Sequence, residues 1–158
     1  MLNLIGEFEC KIDVKGRLML PSSLKKQLPE GEQEKFVLNR GFENCLVMYP
    51  LTEWNKIIAE VNKLNLYNKK NRDFVRFFYR GASEISIDNS NRLLLPKNLL
   101  EYANVDKDIV LFAFSNRIEI WSKTNYDGLL VDEPEDFAKL AEDVMGKQDK
   151  EDKNDDVS

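Results

Sequence analysis

The chain has 158 residues, a formal net charge of −5, 42% hydrophobic residues and no histidine. That length allows one compact domain or two small halves sharing a core. The missing histidine excludes Ser–His and Cys–His nucleophile pairs and every imidazole metal ligand.

The acidity is unevenly spread. Residues 132–158 hold 11 acidic and 4 basic side chains, and residues 1–131 hold the other 17 and 19. The tail therefore carries −7 and the body +2, and the position of the cations matters more than the sum. No apolar run approaches the roughly 20 residues that span a bilayer, so no membrane partner is expected. The start, MLNLIGEFECK, lacks the basic and long apolar regions of a signal peptide. Cys10 and Cys45 form no CxxC pair and read as buried reduced thiols, which fits a cytoplasmic protein. No Walker loop or GxGxxG is present, and no cofactor is expected.

In chain order, Glu7–Ile12 alternates, with Phe8, Cys10 and Ile12 apolar, and reads as a half-buried strand. Asp13-Val-Lys-Gly is a turn, Arg17–Leu20 the return strand, and Pro21 its stop. Ser22–Leu28 reads as a short helix capped by Ser22 or Ser23. Phe36–Asn39 and Cys45–Tyr49 are strands. The next helix, capped by Thr52, turns Trp54, Ile57, Ile58, Val61 and Leu64 inward. Lys69–Tyr79 is a further helix. Its Lys69, Arg72 and Arg76, with Arg80 just beyond, share one face, and Phe74, Phe77 and Phe78 form an aromatic core stripe. That basic face is either a solvated surface or one turned to phosphate or to a neighbouring subunit. Ala82–Ile87 and Arg92–Leu95 are strands around the turn Asp88–Asn91. Lys97–Tyr102 is a short helix, followed by strands at Ile109–Phe114 and Ile118–Trp121. Glu135–Met145 can form an amphipathic helix, and from Gly146 onward disorder is expected.

The chain holds one unit twice. DVKGRLMLP at Asp13–Pro21 recurs as DNSNRLLLP at Asp88–Pro96, and Gly6–Leu24 matches Gly81–Leu99 at nine of nineteen positions with a constant offset of 75. Such a repeat fixes the architecture before any local motif does. It divides the chain into a first repeat at 1–62, a linker helix at 63–80, a second repeat at 81–131 and a mostly disordered acidic tail at 132–158. The fold class is α+β and β-rich.

The repeat also duplicates a chemistry. Asp13 and Arg17 bracket one tight bend, and Asp88 and Arg92 the other. Four residues across a turn bring carboxylate and guanidinium within ion-pair reach. Asp could simply cap the bend while Arg braces it, since an exposed pair contributes only about 0–1 kcal/mol. Alternatively Arg is a fork for phosphate or a guanine edge, held in place by Asp. Lys15 at the first tip strengthens the second reading. Catalysis has little support. Glu7, Glu9, Asp13, Glu84 and Asp88 lie on outward positions or in turns, with no pair converging in an apolar pocket.

These residues resemble the MraZ family, within the SpoVT/AbrB-like group of transcription factors. The resemblance covers about residues 1–131. It rests on the two DxxxR bends with their LxLP sequels, YPLTEW at Tyr49–Trp54, RFFYRGASE at Arg76–Glu84 and IEIW at Ile118–Trp121. It implies two tandem repeats interlocked as a pseudo-dimeric, swapped-hairpin-type barrel with flanking helices. It further implies homo-oligomeric rings that bind short direct repeats in duplex DNA, upstream of their own division and cell wall genes, usually as repressors. The location implied is cytoplasmic and nucleoid-associated. On this resemblance Asp13, Arg17, Asp88 and Arg92 face DNA, and Lys15 joins them by charge and position. Lys69, Arg72, Arg76 and Arg80 form a possible secondary basic surface. The second bend has Asn89-Ser90-Asn91 in place of Val14-Lys15-Gly16, so Arg17 is expected to matter more than Arg92. The rival reading is a ring-forming interaction scaffold that uses the basic linker helix and touches no DNA.

Overall fold

The computed structural model describes residues 1–129 and 134–155. In order, the elements are β1 (Leu4–Lys11), β2 (Arg17–Met19), α1 (Ser22–Lys25), β3 (Lys35–Arg40), β4 (Leu46–Pro50), α2 (Leu51–Val61) and α3 (Lys69–Tyr79). They continue as β5 (Ser83–Ser86), β6 (Arg92–Leu94), α4 (Lys97–Tyr102), β7 (Asp108–Ser115), β8 (Arg117–Ser122), α5 (Lys123–Leu129) and α6 (Pro134–Asp155).

Six strands form one antiparallel sheet in the order β1-β7-β8-β4-β3-β5, and β2 pairs with β6 in a separate ribbon. The two repeats interlock throughout. β1 of the first repeat pairs β7 of the second, β5 of the second pairs β3 of the first, and β4 meets β8 at the centre. A pseudo-twofold axis therefore passes between β4 and β8. The sheet is open, with β1 and β5 as its edges, and not the closed barrel that the resemblance implies. The reason lies in the bends. At Asp13 and Asp88 the chain leaves the sheet to build the ribbon, and a single bridge, Ile12 to Leu18, links β1 to β2. The β1 edge is partly satisfied by a side chain. Gln27 accepts from the Ile5 N–H and donates to its carbonyl, each at 2.9 Å.

Alternation assigns the core. Phe36, Leu38, Leu46, Met48, Ile109, Leu111, Ile118 and Ile120 bury one face of the sheet against Leu18, Leu93, Leu24 and Leu99. The odd-numbered positions of β3 and β4 look the other way. Val37, Val47 and Tyr49 pack with Trp54 of α2, where Phe78 stacks on Trp54 at 5.5 Å. In the second half, Val110 and Trp121 pack with Tyr126 of α5. Leu18 and Leu93 are both fully buried and directly opposite each other. Removing either side chain to Ala costs about 2–5 kcal/mol by the usual cavity penalty.

The structure corrects four local expectations. Neither Ser22 nor Ser23 caps α1, and Thr52 does not cap α2. Pro21 and Pro50 hold those N-cap positions with no side-chain cap bond, because a strand ending at proline runs straight into the helix with φ already set. The linker helix α3 has the expected bounds, with Asn68 accepting from Lys70 and Asn71 N–H groups as cap. Its aromatic stripe is not all core, however. Phe78 packs, whereas Phe74 and Phe77 are exposed, since α3 offers the sheet only its Phe78 side. Last, α6 runs through Gly146 to Asp155, where composition alone reads as disorder. Glu135 and Asp136 in its first turn complement the helix dipole. Residues 130–133 and 156–158, at the expected junction of second repeat and tail and at the tail's end, lie outside the described residues. By internal contacts the chain falls into two units, Met1–Tyr126 and Asp127–Ser158. No helix among the described residues is long and apolar enough to cross a membrane.

Candidate nucleic-acid interface

Each DxxxR bend is a closed hydrogen-bonded unit. In the first, Asp13 N–H donates to the Arg17 carbonyl at 3.0 Å, and Gly16 N–H to the Asp13 carbonyl at 3.0 Å. Asp13 Oδ1 accepts from the Lys15 and Arg17 N–H groups at 3.0 and 2.9 Å. Its Oδ2 accepts from Arg17 Nε at 2.7 Å. The second bend repeats this bond for bond. Asp88 Oδ1 accepts from Ser90 and Arg92 N–H at 2.8 and 2.9 Å, and Oδ2 accepts from Arg92 Nε at 2.9 Å. Gly16 and Asn91 take the positive φ the bend requires, +83° and +60°. Asn tolerates that region better than other residues with a Cβ, so the second bend survives without glycine.

Backbone N–H donation, from Arg17 and from Arg92 foremost, holds the Asp13 and Asp88 carboxyls below their ordinary pKa. The carboxylate takes the Nε–H of each guanidinium and leaves four Nη–H donors for other acceptors. The carboxylate thus caps the bend and at the same time fixes the guanidinium in place.

The ribbon sets where the forks point. Its register opposes Arg17 to Leu94, Leu18 to Leu93 and Met19 to Arg92. Directly paired residues share a face, and neighbours along a strand alternate. Leu18 and Leu93 fill the core side, so Arg17 and Arg92 stand together on the outer side. The ends of the ribbon are tied by Leu20 N–H to the Asn91 carbonyl and Leu95 N–H to the Gly16 carbonyl, both 2.9 Å. The two guanidinium side chains are 28% and 33% exposed, and neither is sealed inside. Lys15 is exposed at the first tip.

One cation at this surface escaped the sequence reading. Lys25 of α1 donates to Asn91 Oδ1 at 2.7 Å and so reaches the second bend from the first repeat. At the offset of 75, Lys25 corresponds to Leu100, and Leu100 packs beside Gly16 in the first bend. A Lys facing a Leu in the repeat comparison was the available signal.

The secondary basic surface is engaged locally. Lys69 and Arg76 both pair with Asp73, at 2.9 and 3.5 Å. Arg72 braces the preceding loop through the Leu66 and Tyr67 carbonyls. Arg80 stands apart, at a cleft of about 320 Å³ lined by Phe74, Phe77, Tyr49, Arg40 and Arg117 among others. The same lining carries the carboxylates of Glu43 and Glu119, and Glu119 Oε1 accepts from Trp121 Nε1 at 3.1 Å. Among the described residues no cluster of three or more His, Cys, Asp or Glu could hold a metal ion.

The sequence matches known proteins along nearly its whole length. The MraZ family model, described as "MraZ protein, putative antitoxin-like", matches twice, over residues 4–77 and 78–147. The second match carries the similarity past residue 131 and into α6. A transcriptional regulator MraZ of Christiangramia forsetii is 50% identical over 150 residues, covering 94% of this chain and 97% of that protein. One from Flavobacterium psychrophilum is 51% identical over 147 residues, covering 92% and 94%. One from Clostridium tetani is 46% identical over 123 residues, covering 78% and 84%. These relatives are named as regulators and not as enzymes. With two full matches to its defining repeat, the chain belongs to the MraZ family.

Proposed function

We propose that this chain is a transcriptional regulator that grips duplex DNA with the outer face of its β2–β6 ribbon. It acts as a homo-oligomeric ring on short direct repeats upstream of its own division and cell wall genes, which it represses. The observation that carries this reading is the register of the ribbon, which sets two carboxylate-braced arginine forks side by side on one outward face. Asp13, Arg17, Asp88 and Arg92 form the contact, with Lys15 at one tip and Lys25 beside the other bend.

The electrostatics favour recognition over simple attraction. Each Asp–Arg pair is neutral overall, so the forks add directed donors more than net charge. Lys15 and Lys25 supply the local positive charge. One subunit offers few phosphate contacts, and linking several multiplies affinity when operator spacing matches subunit spacing.

The test is binding of the full chain to the DNA immediately upstream of its own coding region, at two salt concentrations. Specific retention that weakens steeply with salt is expected, as released counterions require. Indifference to that DNA at low salt overturns the proposal and leaves the interaction scaffold as the better account. The scaffold's strongest support is the aromatic, arginine-lined cleft beside α3.

A further inference from the structure

Arg17 and Arg92 do not occupy the outer face of the ribbon alone. Met19 lies directly opposite Arg92, and Leu94 directly opposite Arg17. Met19 is 60% exposed and Leu94 58%. The face is thus a four-membered patch, with arginines on one diagonal and large aliphatics on the other. Met19 and Leu94 are the same position of the two repeats, at the offset of 75, so the arrangement is made twice.

A single exposed aliphatic side chain needs no explanation. This pair differs in two respects. The core side of the ribbon is already filled by Leu18 and Leu93, so neither side chain has an alternative place inside. Both also project beside the forks that the proposed function sets against DNA. A two-stranded ribbon fits the major groove, which is about 12 Å wide, and the one apolar group displayed there is the C5-methyl of thymine.

We propose that Met19 and Leu94 are sequence-reading residues that pack on thymine C5-methyl groups, while Arg17 and Arg92 hold the adjoining phosphates or guanine edges. This inference rests on the DNA-binding reading above and adds to it the chemistry of the operator. Diagonal neighbours on such a ribbon stand about 7–8 Å apart. At roughly 3.4 Å per base step, the two methyl groups lie about two steps apart, on one strand or shared between both. Leu94 is the stricter reader. Met19 is unbranched and adapts to its contact, so it tolerates more neighbouring sequence.

The test compares two versions of the same upstream DNA fragment, one synthesised with thymine and one with uracil, which differ only in the C5-methyl. Wild type and the Met19→Ser/Leu94→Ser double variant are titrated against both by fluorescence anisotropy, with thermal melts to show that all proteins are folded. Both positions are exposed, and serine carries no methyl group to meet the base. Wild type is expected to bind uracil DNA more weakly, by roughly four-fold for each methyl buried. The double variant is expected to bind thymine DNA about as weakly as wild type binds uracil DNA, and to treat the two fragments alike.

A wild type indifferent to the methyl group overturns the inference. So does a double variant that still prefers thymine, or one that loses affinity equally on both fragments while the wild-type preference persists in it. In each of those cases Arg17→Ala/Arg92→Ala is measured alongside: if it weakens binding, the DNA-binding reading stands and only methyl reading falls. If wild type retains neither fragment, both fall.

Discussion

The two bends share every scaffold hydrogen bond and differ in what surrounds them. At the first, a lysine sits on the tip and Leu100 packs beneath Gly16. At the second, the tip is Ser90 and Lys25 reaches Asn91 from the opposite repeat. Duplication has preserved the part that aims the arginine and let the supply of charge change. The cation of the second bend comes from elsewhere in the fold, so the site is less unequal than its tip residues suggest. Bracing the arginine and placing a lysine nearby are therefore separable features, which a single DxxxR motif would leave merged.

Removing both forks should have the largest effect. Arg17→Ala/Arg92→Ala should weaken binding to upstream DNA by about 2–6 kcal/mol, two bidentate contacts at about 1–3 each, with the thermal melt little changed. On the buried side of the same ribbon the two halves should be equivalent. Leu18→Ala and Leu93→Ala should each lose about 2–5 kcal/mol in urea unfolding, and a difference between the two losses above about 3 kcal/mol, the width of that range, would show that the pseudo-twofold does not extend to energetics. Next come the single forks. Arg17→Ala should cost more affinity than Arg92→Ala, within about 1–3 kcal/mol, and Lys25→Leu should widen that gap by stripping the second bend of its borrowed cation. An Arg92→Ala that costs more than Arg17→Ala would reverse the assignment. Smaller still, Lys15→Ser should lower the slope of log affinity against log salt by about one, with sequence preference intact.

The smallest effect is a titration. Asp13 and Asp88 have pKa values lowered in the folded chain, chiefly by N–H donation from Arg17 and Arg92. Depressed carboxyls stabilise the fold above their unfolded pKa near 3.9, and that contribution is lost as pH falls through the lower folded values. Carboxyl carbon shifts followed by NMR should place both midpoints below the ordinary aspartate value near 3.9. Midpoints at that ordinary value would mean that the bends are open in solution.

Much of this site was legible because its constraints are local. Asp, Arg and a residue tolerant of positive φ fix a five-residue bend wherever it lies, and the alternation of Leu18 and Leu20 with Arg17 and Met19 already gives the outward face. The bounds of α3 were readable for the same reason, from the four-residue arginine spacing, although its cap at Asn68 was not foreseen. Non-local consequences were not readable. Nothing in either hairpin says that β2 pairs with β6, that Lys25 reaches Asn91, or that Phe77 is left outside. The start of α6 was readable from its apolar spacing, but its continuation past Gly146 to Asp155 escaped because composition measures what a segment can bury and not its local preference for a helix.

The six-stranded sheet interleaves strands of the two repeats. Each repeat supplies strands that the other must complete, so the segment Leu64–Asn68 joins the repeats without contributing a strand to the sheet. Cleaved within that loop, the two fragments should remain together as a non-covalent complex and be recoverable by mixing after separate expression. By the same logic, a half-length polypeptide bearing one repeat would reach this architecture only by dimerising, with tandem fusion making the partnership permanent.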